Sequence, residues 1–505
     1  MIVELPWQQP ALPALPLWTV DLWQRLQREV GGTIGFHGLA GWTGQDAILA
    51  EAWQHAVPGA QNVAAVFGVD PDWGLAAASL RDGGSFLWLR QDPLPDPAAW
   101  RHEVETVFGG TAHLVETALD GGWHAAFGWR GEILPPEQTL DVLMVTYVGS
   151  TQMMGGSETQ LFETLKALRG KGVRADVSFS RRLDPTAYAL VHCYGIHHPD
   201  KYAWLSELPV PLVISPVFWD FTRTRGDTIF TIGILQHAES AADAVERLDD
   251  WYAGLLGLTP EGQALIPETP EKIDHMRVIV AHAAHVMPNG RREGEMLLGT
   301  LGLTDIPMTV VPNAVLPERF LGASPEPFQS AYGHRDFILC AGRLEPRKNQ
   351  IMLIWALRDT DLPLVIVGRH SKRDYADLCR RWAGPNVHFI PELSPQMLAS
   401  AYASARVHAM PSWVETPGLT NLEAALAGCN VVVGNRAIET EYFQDLAYVC
   451  DPGNWRSIRD AVTLAWQDTS TTRRDALRQR ILTHFNWGQT AECTADVYRT
   501  VLTER

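Results

Sequence analysis

Across residues 313–480 short apolar runs return at near-regular intervals, with helical patterns filling most of the gaps. The runs are FILCAG (337–342), PLVIVG (363–368), VHFIP (387–391), RVHAMPS (406–412), NVVVGN (430–435) and AYVCDP (447–452). Brief, aliphatic, non-alternating runs of this kind suit strands buried on both faces. Strands alternating with helices imply a parallel sheet covered by helices. A weaker version of the pattern occupies residues 139–312. It opens with the run DVLMVTYV at Asp141 and offers further strands at 190–193, 212–215, 278–281 and 308–311. Two doubly wound, Rossmann-like α/β domains in series are therefore expected, facing a ligand cleft at the carboxyl ends of their strands. A last helix, about 488–502 (GQTAECTADVYRTVL), closes the chain within a terminal segment, 481–505.

Residues 1–138 do not share this pattern. They hold 16 Asp/Glu, six Arg and no Lys, a charge of -10 out of the chain's -17, and ten of its 19 Trp. Short apolar runs at 63–67 and 86–89 predict a mixed α/β or β-rich accessory module, ending in the linker-like LPPEQ at Leu134. Its Trp rings and carboxylates suit carbohydrate or protein docking, and equally suit a structural core. An acidic chain is a poor partner for nucleic acid and for anionic lipid. At most peripheral membrane association is expected, because no apolar run approaches the roughly 20 residues of a membrane span. The stretch 1–16 carries four prolines and no Lys or Arg, unlike a signal peptide. A cytoplasmic location is the expectation. Six cysteines occur, none closer than 21 residues to the next, so neither a thiolate metal motif nor a disulfide framework is visible. Cys340, Cys429 and Cys450 lie in apolar runs and read as buried thiols. Asp70-Pro-Asp72 has the D-x-D spacing of a divalent-ion site, but is also ordinary turn chemistry.

Three stretches carry chemistry. After the first strand of 139–312, Gly155 and Gly156 precede SETQLFETLKALRGKG. This reads as a helix with Ser157 and Gln160 at capping-box spacing and an apolar stripe of Leu161, Phe162, Leu165 and Leu168. A glycine pair before a helix lets backbone N–H groups approach an anion, or is simply a flexible turn. In AGRLEPRKNQ (341–350), Gly342, Arg343 and Lys348 follow a strand at the mouth of the sheet, where cations can absorb charge on a departing diphosphate. The alternative there is a solvated basic loop. In PSWVETPGLTNLEAALAG (411–428), Glu415 lies in a loop, Gly418, Leu419 and Thr420 begin a helix, and Glu423 is placed two turns along it. That spacing suits the two ends of one long ligand, with Glu423 accepting from ribose hydroxyls and Glu415 from sugar hydroxyls. The alternative is a dipole-favouring Glu plus a surface Glu.

Taken together, these stretches resemble the retaining GT-B glycosyltransferases of group 1, family 4, with an unassigned N-terminal extension. Gly342-Arg343 with Lys348 is similar to the family's Gly-Arg…Lys element, and Glu415 with Glu423 to its E-x7-E motif. GGSE (155–158), HVMPNGRREGE (285–295), VVPNAV (310–315) and FNWGQTAECTADVY (485–498) follow the family in order, so the resemblance covers about 139–505. It implies an acceptor-side domain (139–312), a nucleotide-sugar donor domain (313–480) and a final helix crossing back to the first. The implied reaction is metal-independent transfer of a sugar from a UDP- or GDP-sugar, with retained anomeric configuration, and with no permanently bound cofactor. The acceptor is a glycan, a lipid-linked group or a protein, in surface polysaccharide or glycoconjugate synthesis. Arg343 and Lys348 are implied to hold the diphosphate, Gly156 and the backbone of Gly418–Thr420 to touch phosphate, Glu415 the transferred sugar and Glu423 the ribose. Where many members carry a His, this chain reads VISPVFWDFT (213–222), leaving Asp220 as a substitute or no side-chain base. His192, His197 and His198 read as structural. A sugar-nucleotide epimerase, a phosphorylase or a non-catalytic glycan-binding scaffold remain alternatives on the same fold.

Overall fold

The computed structural model describes residues 34–37, 63–69, 80–91, 96–116, 123–129, 134, 139–147, 156–179, 183–257 and 265–504. Two compact units emerge. One comprises residues 1–215, 279–286 and 491–505, the other 216–278 and 287–490.

The first unit is built on a ten-stranded sheet: β1 (Ile34–His37), β2 (Val63–Val69), β3 (Leu80–Gln91), β4 (Ala112–Glu116), β5 (Trp123–Trp129), β6 (Leu140–Val145), β7 (Val173–Ser178), β8 (Leu190–Tyr194), β9 (Leu212–Ser215) and β10 (His285–Val286). Their order is β1-β2-β3-β5-β4-β7-β6-β8-β9-β10. β5 runs antiparallel to both β3 and β4, while β4 joins β7 in parallel through Val115↔Val177 and Glu116↔Ser178. Strands from before and after the expected boundary at 138 thus share one sheet, so the described strands of the acidic segment, read as its own module, join those of the next. Helix α1 (Pro97–Phe108) forms because Asp96 accepts from Ala99 N–H at 3.2 Å and Pro97 fits the first turn. Gly109, at φ +67, ends it. Its buried Trp100, Val104 and Phe108 face the core. The join is also polar. Asp176 of β7, fully buried, accepts from Leu114 N–H at 2.8 Å and from the Tyr188 hydroxyl at 2.6 Å, and pairs with Arg101 of α1. A buried carboxylate needs such a set of partners to replace its lost hydration. Helix α2 (Gly156–Ala167) buries Leu161, Phe162 and Leu165, and Leu168 is buried just beyond its end, as the apolar stripe predicts. It begins at Gly156, so Ser157 sits inside the first turn and not ahead of it, which corrects the capping box.

The second unit carries six parallel strands: β11 (Ile338–Ala341), β12 (Leu364–Val367), β13 (Val387–Ile390), β14 (Val407–Met410), β15 (Asn430–Gly434) and β16 (Tyr448–Cys450), in the order β13-β12-β11-β14-β15-β16. Each falls inside one of the six predicted runs. Its helices include α3 (Thr222–His237), α4 (Ala241–Gly257), α5 (Gln350–Leu357), α6 (Arg373–Trp382), α7 (Leu419–Ala427) and α8 (Trp455–Gln467). Leu235 of α3 and Leu248 of α4 share one core with Trp355 of α5 and Ile458 of α8. Arg436 bridges Asp227 of α3 and Asp451, and Tyr252 of α4 donates to Asp451 at 3.0 Å. These contacts place residues 216–278 with the second unit, although the sequence assigns them to the segment 139–312.

Two predicted strands are absent. Residues 278–281 form the end of the helix Pro270–Ala281. Residues 308–311 hold only a single bridge position, and Val311 N–H donates to Pro288 O at 2.9 Å. The closing helix, α9 (Trp487–Thr503), matches its predicted extent. Cys193, Cys340, Cys379, Cys429 and Cys450 are buried and free. Among the described residues no helix is long and apolar enough to cross a membrane.

Candidate active site

The carboxyl ends of β11, β12 and β14 meet in the second unit, where glycine lets backbones close in. Gly368 follows β12 at φ +146, and a Cβ there would stand 2.2 Å from the Gly342 carbonyl oxygen. No side chain can occupy that position without displacing the turn after β11. Gly342 itself has φ +154. The basic loop after it is anchored at several points. Leu344 N–H donates to Arg369 O at 2.8 Å, and the Gln350 side chain donates to Arg343 O at 2.8 Å. Asn349, held at φ +60, donates to Pro411 O and Pro452 O at 3.1 and 2.9 Å. Trp413 N–H closes the set by donating to Arg347 O at 3.0 Å. The basic loop and the loop carrying Glu415 are therefore one braced structure.

Inside the brace, Glu415 Oε1 lies 2.6 Å from Lys348 Nζ, 3.1 Å from Arg347 Nη1 and 2.8 Å from Ser412 Oγ. Burial works against ionisation of this carboxyl, yet the Arg347 and Lys348 charges outweigh it and hold its pKa down at about 2. Arg347 also pairs with Glu345 at 2.8 Å, and Glu345 reaches Arg343 at 3.5 Å. Arg343 itself points largely to solvent, with 44% of its side chain exposed. It is free to turn onto an incoming anion. Behind the cluster, burial pushes the Glu439 carboxyl well above its usual range, and its Oε2 has no hydrogen-bond partner.

Helix α7 starts at Gly418, whose φ of +81 suits glycine, and no side chain caps it. Its free N–H groups and dipole favour an anion. Thr420 Oγ1 is buried without a hydrogen-bond partner at this same turn. Unmatched buried polar atoms are rare in finished folds. Glu423 is the fifth residue of α7, one turn in and not two. It accepts from the Tyr402 hydroxyl at 3.1 Å. Burial raises its pKa, against the nearby Arg319 charge and the Tyr402 bond. The structure thus brings Lys348, Glu415 and the loop of Arg343 together, and gives Glu423 separate partners.

Other residues singled out in the sequence fall elsewhere. His192 is fully buried in the first unit, its ring nitrogens 2.6 Å from Tyr498 Oη and 2.9 Å from Ser215 Oγ. Burial lowers its pKa to about 3. The His198 ring packs on Tyr147 at 4.5 Å. Asp220 accepts from Thr222 N–H at 2.8 Å, a local turn bond. Gly156 is exposed at the start of α2. Gly155, Asp70 and Asp72 lie outside the described residues. Sequence reasoning missed Arg347, Ser412, Glu345 and Glu439. Arg347 adjoins Lys348 in the quoted basic stretch, but its partner at 415 is 68 positions away and invisible to local pattern.

The class that this architecture defines is the GT-B-like glycosyltransferase fold. The Anabaena protein HepE, solved in complex with UDP-glucose, superposes with a TM-score of 0.54 at 16% identity, covering 72% of this chain and 100% of that one. Within the fold, residues 326–481 match the family model "Glycosyl transferases group 1". A D-inositol 3-phosphate glycosyltransferase of Kribbella flavida is 28% identical over 259 residues, 46% of this chain and 61% of the relative. An alpha-maltose-1-phosphate synthase of Mycobacterium tuberculosis is 25% identical over 383 residues, 66% of this chain and 95% of the relative. The chain spans about three fifths of the length of the first of these curated relatives.

Proposed function

We propose that the protein is a retaining, metal-independent glycosyltransferase of family 4 that moves a sugar from a UDP- or GDP-sugar to a glycan, lipid-linked or protein acceptor. Surface polysaccharide or glycoconjugate synthesis in the cytoplasm is the proposed setting. The observation that carries the reading is the braced Arg343–Lys348–Glu415 cluster beside the uncapped start of α7. In this reading Lys348 turns from Glu415 toward the diphosphate as negative charge grows on the leaving group, and Arg343 adds a guanidinium from the solvent side. Backbone N–H groups of Gly418, Leu419 and Thr420 hold a phosphate, and Gly342 keeps the backbone close to it. Gly155 and Gly156 stay in the proposal as further backbone contacts to phosphate.

Glu415, kept ionised by its cations, accepts from hydroxyls of the transferred sugar, and Glu423 accepts from the ribose. The catalytic set is Arg343, Lys348 and Glu415. Residues 139–312 are proposed to serve the acceptor and 313–480 the donor, with 481–505 returning to the first domain and 1–138 as an accessory segment. The names of the relatives, which include a D-inositol 3-phosphate glycosyltransferase, favour small phosphorylated acceptors in a first screen. The test is turnover of labelled sugar from a panel of UDP- and GDP-sugars, with calorimetric binding of UDP and GDP to wild type and Arg343→Ala. Transfer by the wild type with about tenfold or greater loss of nucleotide affinity in the variant is expected, since hydrogen bonds to charged groups contribute about 1.5–3 kcal/mol. No nucleotide binding, or unchanged binding in Arg343→Ala, sinks the assignment.

A further inference from the structure

A cavity of about 840 Å³ lies within the second unit, walled by α3, α6 and the turn Pro346–Arg347. None of the residues given a role above except Arg347 lines it. Its wall is apolar along Phe221, Ile232, Tyr375 and Leu378. Its volume is that of sites which enclose a small organic ligand. The charged groups at its edge are uneven: Arg225, Arg347, Lys372 and Arg381 against Asp374 and Asp377. Arg225 is satisfied by Glu268, and Asp377 by Arg380 at 2.8 Å. Arg381 donates only to the carbonyls of Gln236 and Ala238, at 2.8 and 2.9 Å, so no carboxylate cancels its charge. Lys372, at the start of α6, is exposed and enters no ion pair among those of the described residues. Lys372 and Arg381 thus stand at the mouth of an apolar cavity without a carboxylate partner, while Arg347 is shared with Glu345 and Glu415.

One more feature points to a space kept open. Gly233 sits inside α3 on the cavity wall, and a Cβ added there would meet no atom within 4 Å. Glycine in a helix interior is unfavourable relative to any ordinary residue. Here it neither relieves a close contact nor supplies a turn.

We infer that this cavity binds an organic anion with an apolar body, an alkyl or aryl phosphate or carboxylate, whose charge meets Lys372, Arg381 and Arg347 while its body lies along Ile232 and Leu378. Because Arg347 also pairs with Glu415 at 3.1 Å, the ligand would share one guanidinium with the cluster at the strand ends. The inference does not depend on the transferase reading and is tested by binding alone.

The probe is octyl phosphate, titrated calorimetrically into the full chain, with octyl glucoside as the neutral body and inorganic phosphate as the anion without a body. One equivalent of octyl phosphate should bind, about tenfold or more tightly than either control. Gly233→Leu, which fills the cavity while raising helix propensity, should abolish that binding. Lys372→Glu should weaken it by about twofold to fivefold, the scale of an exposed charge pair. Both variants should keep the wild-type far-UV circular dichroism and cooperative thermal unfolding, which certifies that the unit is folded. Dioleoylphosphatidate vesicles distinguish the source: co-sedimentation that is lost in Gly233→Leu assigns a lipid headgroup, and its absence beside octyl phosphate binding assigns a soluble ligand. Equal binding of octyl glucoside, or undiminished octyl phosphate binding in Gly233→Leu, overturns the inference.

Discussion

Two buried ionisable groups, one in each sheet, are matched in opposite ways. In the first, His192 lies in mid-sheet between two hydroxyls, Tyr498 and Ser215, and is held neutral by burial. In the second, Glu415 is as deeply placed but is kept charged by Arg347 and Lys348 at the ends of the strands. The lesson concerns partners and not depth. A buried group matched by neutral hydroxyls has been given everything it needs and is structural. A buried charge matched by cations, beside a helix start whose Thr420 hydroxyl remains unmatched, is stabilised by groups that a ligand could also engage.

Four experiments press on this contrast. Lys348→Ala should have the largest effect, a fall in kcat of about 10²–10³ in labelled-sugar transfer, the range for removing one preorganised stabiliser of leaving-group charge. A rate near wild type would erase the functional half of the contrast. Next comes acid stability. The folded pKa of Glu415, about 2, lies below its ordinary 4.5, so its stabilisation is complete above pH 4.5 and is lost as pH falls toward 2. The loss should be about 3 kcal/mol, read by denaturant unfolding across that window, and Glu415→Gln should flatten it. Glu423→Gln should raise the donor KM by about threefold to tenfold with kcat nearly unchanged, the signature of uniform binding. The smallest effect on chemistry belongs to His192→Phe. It should leave the pH profile of transfer where it was and cost only about 1–3 kcal/mol of stability, because two hydroxyls lose a partner. A shifted profile would mean that His192 belongs with the reacting groups after all.

Much of the second sheet was readable in the sequence because buried parallel strands need long aliphatic side chains on both faces. NVVVG and LVIV have few other uses. The same logic misled at 278–281, where four apolar residues finish a helix, since periodicity cannot tell a short buried strand from the last turn of a buried helix. The basic loop and the two glutamates were readable as residue types in sequence. Their pairing was not. Arg347 meets Glu415 only because Asn349 and Trp413 tie two distant loops together, a matter of tertiary contact. The docking of α3 and α4 on the second unit was hidden for the same reason, resting on Arg436 with Asp227 and on Leu235 and Leu248 in a shared core.

The parallel join between β4 and β7 bears on how the chain can be cut. An abridged protein starting near residue 139 would strip away the β4 neighbour of β7 and lay bare the backbone groups at Val177 and Ser178. It would also strand Asp176 without Arg101 or the Leu114 amide. Such an edge recruits other chains. The stretch carrying α1 and β4 is therefore a poor candidate for trimming in any shortened version of the protein, whatever else it contributes.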